Sequence, residues 1–199
     1  MRPRPEGYRS VPRDVASSAT LGMLTGNVFR GGSMSAYELA QLNIGIIRGP
    51  MDSPVMAEFA ANLERINALA ERSPGFVWRL QTPAGNATDI RPFENESMLV
   101  NMSVWQDADS LRKFVYRSAH AEILRRRREW FERMSEAFMV LWWVPCGHRP
   151  SVEEAIARLE LLRRRGPHPD AFTFRETYPP PDAPSTEQPG GFEDECPAT

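Results

Sequence analysis

Apolar and polar positions alternate from Tyr37 to Ile47, with Ala40, Leu42, Ile44 and Ile46 on one side and Leu39, Gln41, Asn43 and Gly45 on the other. A period of two is that of a strand, and Gly49-Pro50 ends it. Ser53-Pro54 then reads as a helix start, Ser as N-cap and Pro in the first turn. Val55, Met56, Phe59, Leu63, Ile66 and Ala70 supply the apolar face, and Pro74-Gly75 closes the helix. Phe76 to Gln81 reads as a second strand with Phe76, Trp78 and Leu80 on one face, followed by a polar loop through Gly85, Asn86 and Pro92. Ser97 to Trp105 alternates again as a third strand. Asp107 or Asp109 caps a helix through Tyr116, residues 119 to 134 give an arginine-rich helix, and Ala137 to Val144 gives a strand apolar on both faces. Ser151 to Arg165 makes a last amphipathic helix, and Phe172-Thr173-Phe174 is placed to pin the C-terminus back.

Strand, helix, strand, strand, helix, strand is the order of a ferredoxin-like unit, so the expected class is α+β with an added C-terminal helix. A strand apolar on both faces needs cover on both. With one face given to the chain's own helices, the other is expected to meet a second copy, as a two-fold homodimer; adjacent strand residues point to opposite faces, so one of Trp142 and Trp143 is expected in that interface. The barrel domain is expected over 34–176. Residues 1–33 mix Pro, Arg, Ser and Gly without period and read as a disordered extension, with Met34 as an alternative start; 177–199, with Pro-Pro-Pro, Gly-Gly and several acids, reads as a disordered tail.

Composition narrows the function classes. A chain of 199 residues with 41% hydrophobic and 25% charged residues is globular, and its net charge of −2 lacks the basic excess of a nucleic-acid binder. Lys113 is the only lysine among 24 basic residues, a bias of genome composition more than of function. Cys146 and Cys196 stand in unlike surroundings and form neither a disulfide framework nor a metal spacing. No run approaches a membrane span, and no secretory signal is evident; a cytoplasmic protein is expected.

On the arginine-rich helix, His120, Ile123, Leu124, Arg127, Trp130, Phe131 and Met134 share one side at about 100° per residue. Two polar groups in an apolar stripe must find partners or line a cavity, because burying an unpaired charge is costly. Arg125, Arg126 and Arg128 fall on the solvated flanks.

Asn43 in ELAQLNIG, the run Pro74 to Arg79, Tyr116-Arg117-Ser118 with His120, Arg128-Glu129-Trp130-Phe131, Trp142 to Pro145 and Gly147 to Pro150 together resemble a family of uncharacterised bacterial domains. That family carries a domain-of-unknown-function label and belongs with the dimeric α+β barrels, alongside the antibiotic-biosynthesis monooxygenases; the resemblance covers about residues 36 to 175. It implies a ligand held between the sheet and the helices. Relatives in the wider superfamily include cofactor-free oxygenases of aromatic polyketides, haem proteins, isomerases and small cyclases, and fold alone does not choose among them.

Against such a pocket, Asn43 and Asn101 are candidate amide donors to a carbonyl or enolate oxygen, able to share a face with Gln41 and Ser103; the plainer alternative is that they satisfy each other or the backbone. His120 is a candidate general base or axial haem ligand, or a residue bonding its own helix turn. Arg127 either holds an anionic group or pairs with an acid such as Glu58 or Glu64. Tyr116 is a phenol donor or a core residue with a wet tip. Trp78, Trp105 and Trp130 suit a flat aromatic ligand and equally suit a core, and His148 stands at a turn where a backbone role competes with a site role. Three readings follow: a cofactor-free oxygenase or cyclase/isomerase of secondary metabolism acting on an aromatic or polyketide-like substrate, a haem-binding protein, and a non-catalytic dimer binding a small hydrophobic molecule.

Overall fold

The computed structural model describes residues 35–184, and the expected extension 1–33, like Cys196, lies outside them. Its strands are β1 (Tyr37–Ile46), β2 (Phe76–Arg79), β3 (Met98–Trp105) and β4 (Met139–Pro145); its helices are α1 (Ala57–Glu71), α2 (Ala108–Arg117), α3 (His120–Arg126) and α4 (Val152–Arg165), with a 3-10 turn at Arg127–Glu129. The sheet order is β2-β3-β1-β4, with every neighbouring pair antiparallel. With the chain order, this is the ferredoxin-like arrangement expected from the pattern. β1 lies inside the sheet and pairs along its length with both β3 and β4.

Two helices start as their side chains dictate. Asp107 caps α2 by accepting from the Ser110 amide at 2.7 Å, and Ser151 caps α4 by accepting from the Glu154 amide at 3.1 Å. Ser53 does not cap α1: its hydroxyl turns back to the Pro50 carbonyl at 2.5 Å, and the helix begins at Ala57 without a side-chain cap. The arginine-rich helix is also shorter than its stripe. It gives way to the 3-10 turn because the backbone there bonds the end of β1 instead: Arg48 N–H donates to the Trp130 carbonyl and Glu132 N–H to the Ile46 carbonyl, both at 2.9 Å. Gly45 makes room for this, since a Cβ on it would stand 2.6 Å from Phe131 Cδ1.

One sheet face carries Ala40, Leu42, Ile44, Val100, Met102, Val104, Val140, Trp142 and Val144, and all are buried. They are covered by α4 through Val152, Ala155, Ile156, Leu159 and Leu162, with Ile90 and partly buried Phe93 and Phe138 beside them. Among the described residues, the chain's own last helix therefore covers this face. The tryptophans share that fate. Trp142 is fully buried with Nε1 donating to Glu154 Oε1 at 3.0 Å, and Trp143 donates to the Tyr178 carbonyl at 2.8 Å.

The outer edge of β4 is met by Phe172, which exchanges both backbone hydrogen bonds with Leu141 at 2.8 Å. The chain stays attached past 176. Asp182 accepts from the Ala36 amide at 2.5 Å and from the Ser35 hydroxyl at 2.9 Å, so 177–184, expected in the tail, are held against the start of β1.

Candidate functional site

The opposite sheet face is polar in its middle. Register places Asn43 opposite Asn101, Gln41 opposite Ser103 and Leu39 opposite Trp105. Above it, α1, α2 and α3 enclose a cavity of about 330 Å³. The size suits a small organic molecule. Asn43, Asn101, His120, Arg127, Tyr116, Trp105 and Trp130 all line it, and so do Phe59, Leu63, Ile66, Phe114, Phe131 and Phe138.

Trp78 and His148 stand outside that lining. A bulge in the pairing of β2 with β3 lies between Phe76 and Trp78, so Phe76 pairs with Trp105 while Trp78 pairs with Val104 and joins the α4 side. The extra residue of a bulge reverses the alternation beyond it. His148 is exposed at the turn after β4 and bonds Glu154 Oε2 at 2.7 Å; that carboxylate also takes the Trp142 indole N–H, so it ties the turn to α4 and the core.

The polar floor has a direction, set by one donor. Trp105 Nε1–H can only donate, and it gives to Ser103 Oγ at 2.9 Å. The Ser103 hydroxyl proton therefore goes to Gln41 Oε1 at 3.0 Å, and Gln41 Nε2 in turn donates to Asn43 Oδ1 at 2.8 Å. That leaves the Nδ2 protons of Asn43 for the cavity, with no hydrogen-bond partner among the described residues. Asn101 is unpartnered among them as well, and it is exposed in an inner strand although its strand neighbours Val100 and Met102 are buried on the opposite face. The cavity opens to solvent over it.

His120 is oriented just as firmly. Its backbone amide meets the Ser118 hydroxyl at 3.1 Å, and its Nδ1 lies 3.2 Å from the Val115 carbonyl. A carbonyl only accepts, so Nδ1 carries the proton and Nε2 of the neutral ring keeps its lone pair. The imidazole tilts against Phe114 at 4.9 Å, Phe114 stacks on Trp105 at 5.1 Å, and Trp105 meets the edge of Phe76 at 5.4 Å. Burial in this aromatic wall lowers the imidazole's proton affinity more than the bond to Val115 raises it, which favours the neutral ring.

Arg127 and Arg126, adjacent in sequence, have opposite fates. Arg126 points outward to Glu58 and Glu129, with Nη2 at 2.6 Å from Glu58 Oε2 and 2.7 Å from Glu129 Oε2, and it lies over the Trp130 ring at 5.0 Å. The acid expected to pair with Arg127 thus serves its neighbour. Arg127 stacks on the Phe138 ring at 4.3 Å, and burial alone lowers its proton affinity. Tyr116 sits at the rim, 51% exposed, with its ring against Phe174 at 5.7 Å. Arg79, which the pattern did not single out, also lines the cavity, bonded to Glu71 at 2.8 Å. Its alternation is hidden behind the bulge.

A model for a family described as Domain of unknown function (DUF3291) matches residues 38–188. The chain belongs to that family. No curated protein matches it. Among solved structures, SnoaB, a cofactor-independent oxygenase from Streptomyces nogalater, is 21% identical over 60% of this chain and 100% of its own, with a TM-score of 0.36. A variant of the same protein gives 20%, 59%, 98% and 0.38. A protein of unknown function from Nitrosomonas europaea is 11% identical over 58% of this chain and 95% of its own, with a TM-score of 0.37. These are distant likenesses, and no activity is carried from them. Among the described residues, no helix is long and apolar enough to cross a membrane, and no group of three His, Cys, Asp or Glu stands ready for a metal ion.

Proposed function

We propose that the chain is a cofactor-independent enzyme that takes a proton from an aromatic or polyketide-like small molecule bound between sheet and helices. His120 is the proton acceptor, Asn43 and Asn101 face the oxygen of the anion that forms, and Arg127 holds an anionic group of the substrate. The observation that carries this reading is the free Nε2 of a neutral, tautomer-locked imidazole in the same cavity as two unspent amides. Loss of a proton to Nε2 leaves its electron pair on the substrate as an enolate or phenolate, and N–H donors held in place for that oxygen stabilise it without reorganising.

Two continuations suit such an anion. In an isomerase or cyclase the proton returns from Nε2 to another atom of the substrate. In an oxygenase dioxygen is the oxidant: a ring methylene becomes a carbonyl, one oxygen atom enters the product and the other leaves as water with the two hydrogens. Secondary metabolism is the setting this chemistry fits.

The test is turnover of a panel of hydroxylated aromatic ketones, followed by oxygen uptake and product mass, in wild type and His120→Ala. Loss of a general base costs about 10²- to 10⁴-fold. Equal turnover in the variant would overturn the assigned base; ligand binding without turnover in wild type would leave a binding protein. The same free Nε2 would also serve as a ligand to haem iron. A Soret band on adding haemin, lost in His120→Ala, would put haem binding in place of the enzyme reading.

A further inference from the structure

Arg127 carries the one cation in the cavity lining that the described residues leave unanswered. The other arginine there, Arg79, is bonded to Glu71, and His120 is neutral by burial. No aspartate or glutamate lines the cavity among the described residues. A half-buried guanidinium with neither a carboxylate nor a hydrogen bond is an expensive arrangement unless something completes it. Its flat face is already spent on Phe138 at 4.3 Å, which leaves the N–H groups around its rim pointing away from the ring. That rim matches the two oxygens of a carboxylate in parallel. A doubly charged phosphate would call for a second cation, and none is free here. The remaining walls are apolar and largely aromatic, with Phe59, Trp130 and Phe131 among them.

We propose that the ligand of this cavity is an aromatic acid, a flat apolar body bearing one carboxylate, and that Arg127 receives the carboxylate. This names the substrate class of the site proposed above. It rests on the cavity being a ligand site and is independent of whether His120 is a base.

The probes are 2-naphthoate and its neutral isostere 2-naphthamide, titrated against the full chain with tryptophan fluorescence as the readout, since Trp105 and Trp130 line the cavity. A charge-assisted bidentate contact predicts that wild type prefers the acid by ~10- to 100-fold. Arg127→Met should bring the acid down to the amide's affinity, and Arg127→Lys should fall between. His120→Gln should keep the preference even where turnover is lost, which separates this inference from the catalytic one. Equal affinity of wild type for acid and amide would overturn the proposal, as would a preference that survives Arg127→Met. Binding of neither probe would overturn it together with the cavity as a site for aromatic acids. Should Arg127→Met fail to fold, the wild-type comparison and the Arg127→Lys variant decide.

Discussion

Ser103→Ala tests the directed chain of hydrogen bonds beneath the cavity. The hydroxyl it removes is one oxygen, on a residue only 7% exposed, with Gln41 beside it at 8%. The methyl group that remains fits the same space, so packing changes little. Two partners are stranded: Trp105 Nε1–H, on a fully buried residue, loses its acceptor, and Gln41 Oε1 loses its donor. An unsatisfied buried group costs about 1–3 kcal/mol, so the variant is expected to lose about 2–4 kcal/mol, with Gln41 free to recover part of its share by rotating. That rotation is the second readout. With Gln41 no longer held by Ser103, its Nε2–H need not point at Asn43 Oδ1, and Asn43 can turn its oxygen into the cavity in place of its N–H groups. Urea titration at pH 7 gives the stability, with an unchanged slope required so that the midpoint reports ΔG; titration with 2-naphthoate gives the site effect. A loss below about 0.5 kcal/mol, the range of an ordinary surface substitution, would refute the chain of bonds, because a stranded buried indole N–H cannot be that cheap.

Acid should weaken the fold through His120. Its folded-state proton affinity is lowered by burial, so the unfolded chain binds the proton first as pH falls; stability then drops below about pH 6.5, the ordinary imidazole value, and levels off beneath the depressed folded value. Urea titrations from pH 7.5 to 5 should show this slope in wild type and a flatter one in His120→Gln, about 1.4 kcal/mol being at stake for every tenfold difference in proton affinity; parallel slopes would show the imidazole is not buried as described. Gly45→Ala puts a Cβ 2.6 Å from Phe131 Cδ1, on a ring already packed edge-on against Phe59 at 5.1 Å. Overpacking of that kind costs about 1–3 kcal/mol, read as a drop in thermal midpoint; an unchanged midpoint would mean that the turn after α3 moves freely.

Periodicity carried most of the fold, because each strand and helix buries one regular side. The stripe from His120 to Phe131 turns toward the cavity as its spacing implied, and Asn43 meets Asn101 because two alternating strands pair in register. What failed to show was anything decided by contacts distant in sequence. Trp78 changes face at a bulge within Phe76–Trp78, where no Gly or Pro stands, and the helix from residue 119 stops early because its backbone is captured by the end of β1. Spacing put Arg127 on the stripe and Arg126 on the flank, but it could not say what either would meet. The positions of Glu58 and Phe138 make the one a surface ion pair and the other an unpaired cation within the site.

The same distinction explains the two faces of the sheet. Period two on β4 says that both faces must be covered, but not by what, and a partner copy and the amphipathic segment after Pro150 satisfy the pattern equally well. Distance along the chain decides it. Only the short turn through Gly147 and Pro150 separates β4 from α4, with Gly147 at φ +83°, a conformation other residues enter reluctantly. Closing so short a loop costs far less entropy than recruiting a second molecule, and α4 packs on Val140, Trp142 and Val144. The hydrocarbon face is then sealed by the chain itself, and Glu154, holding both Trp142 and His148, fastens the seal at its start. Covering one face in this way leaves the other to carry what a core excludes: a row of amides, an unspent imidazole nitrogen and a guanidinium without an acid.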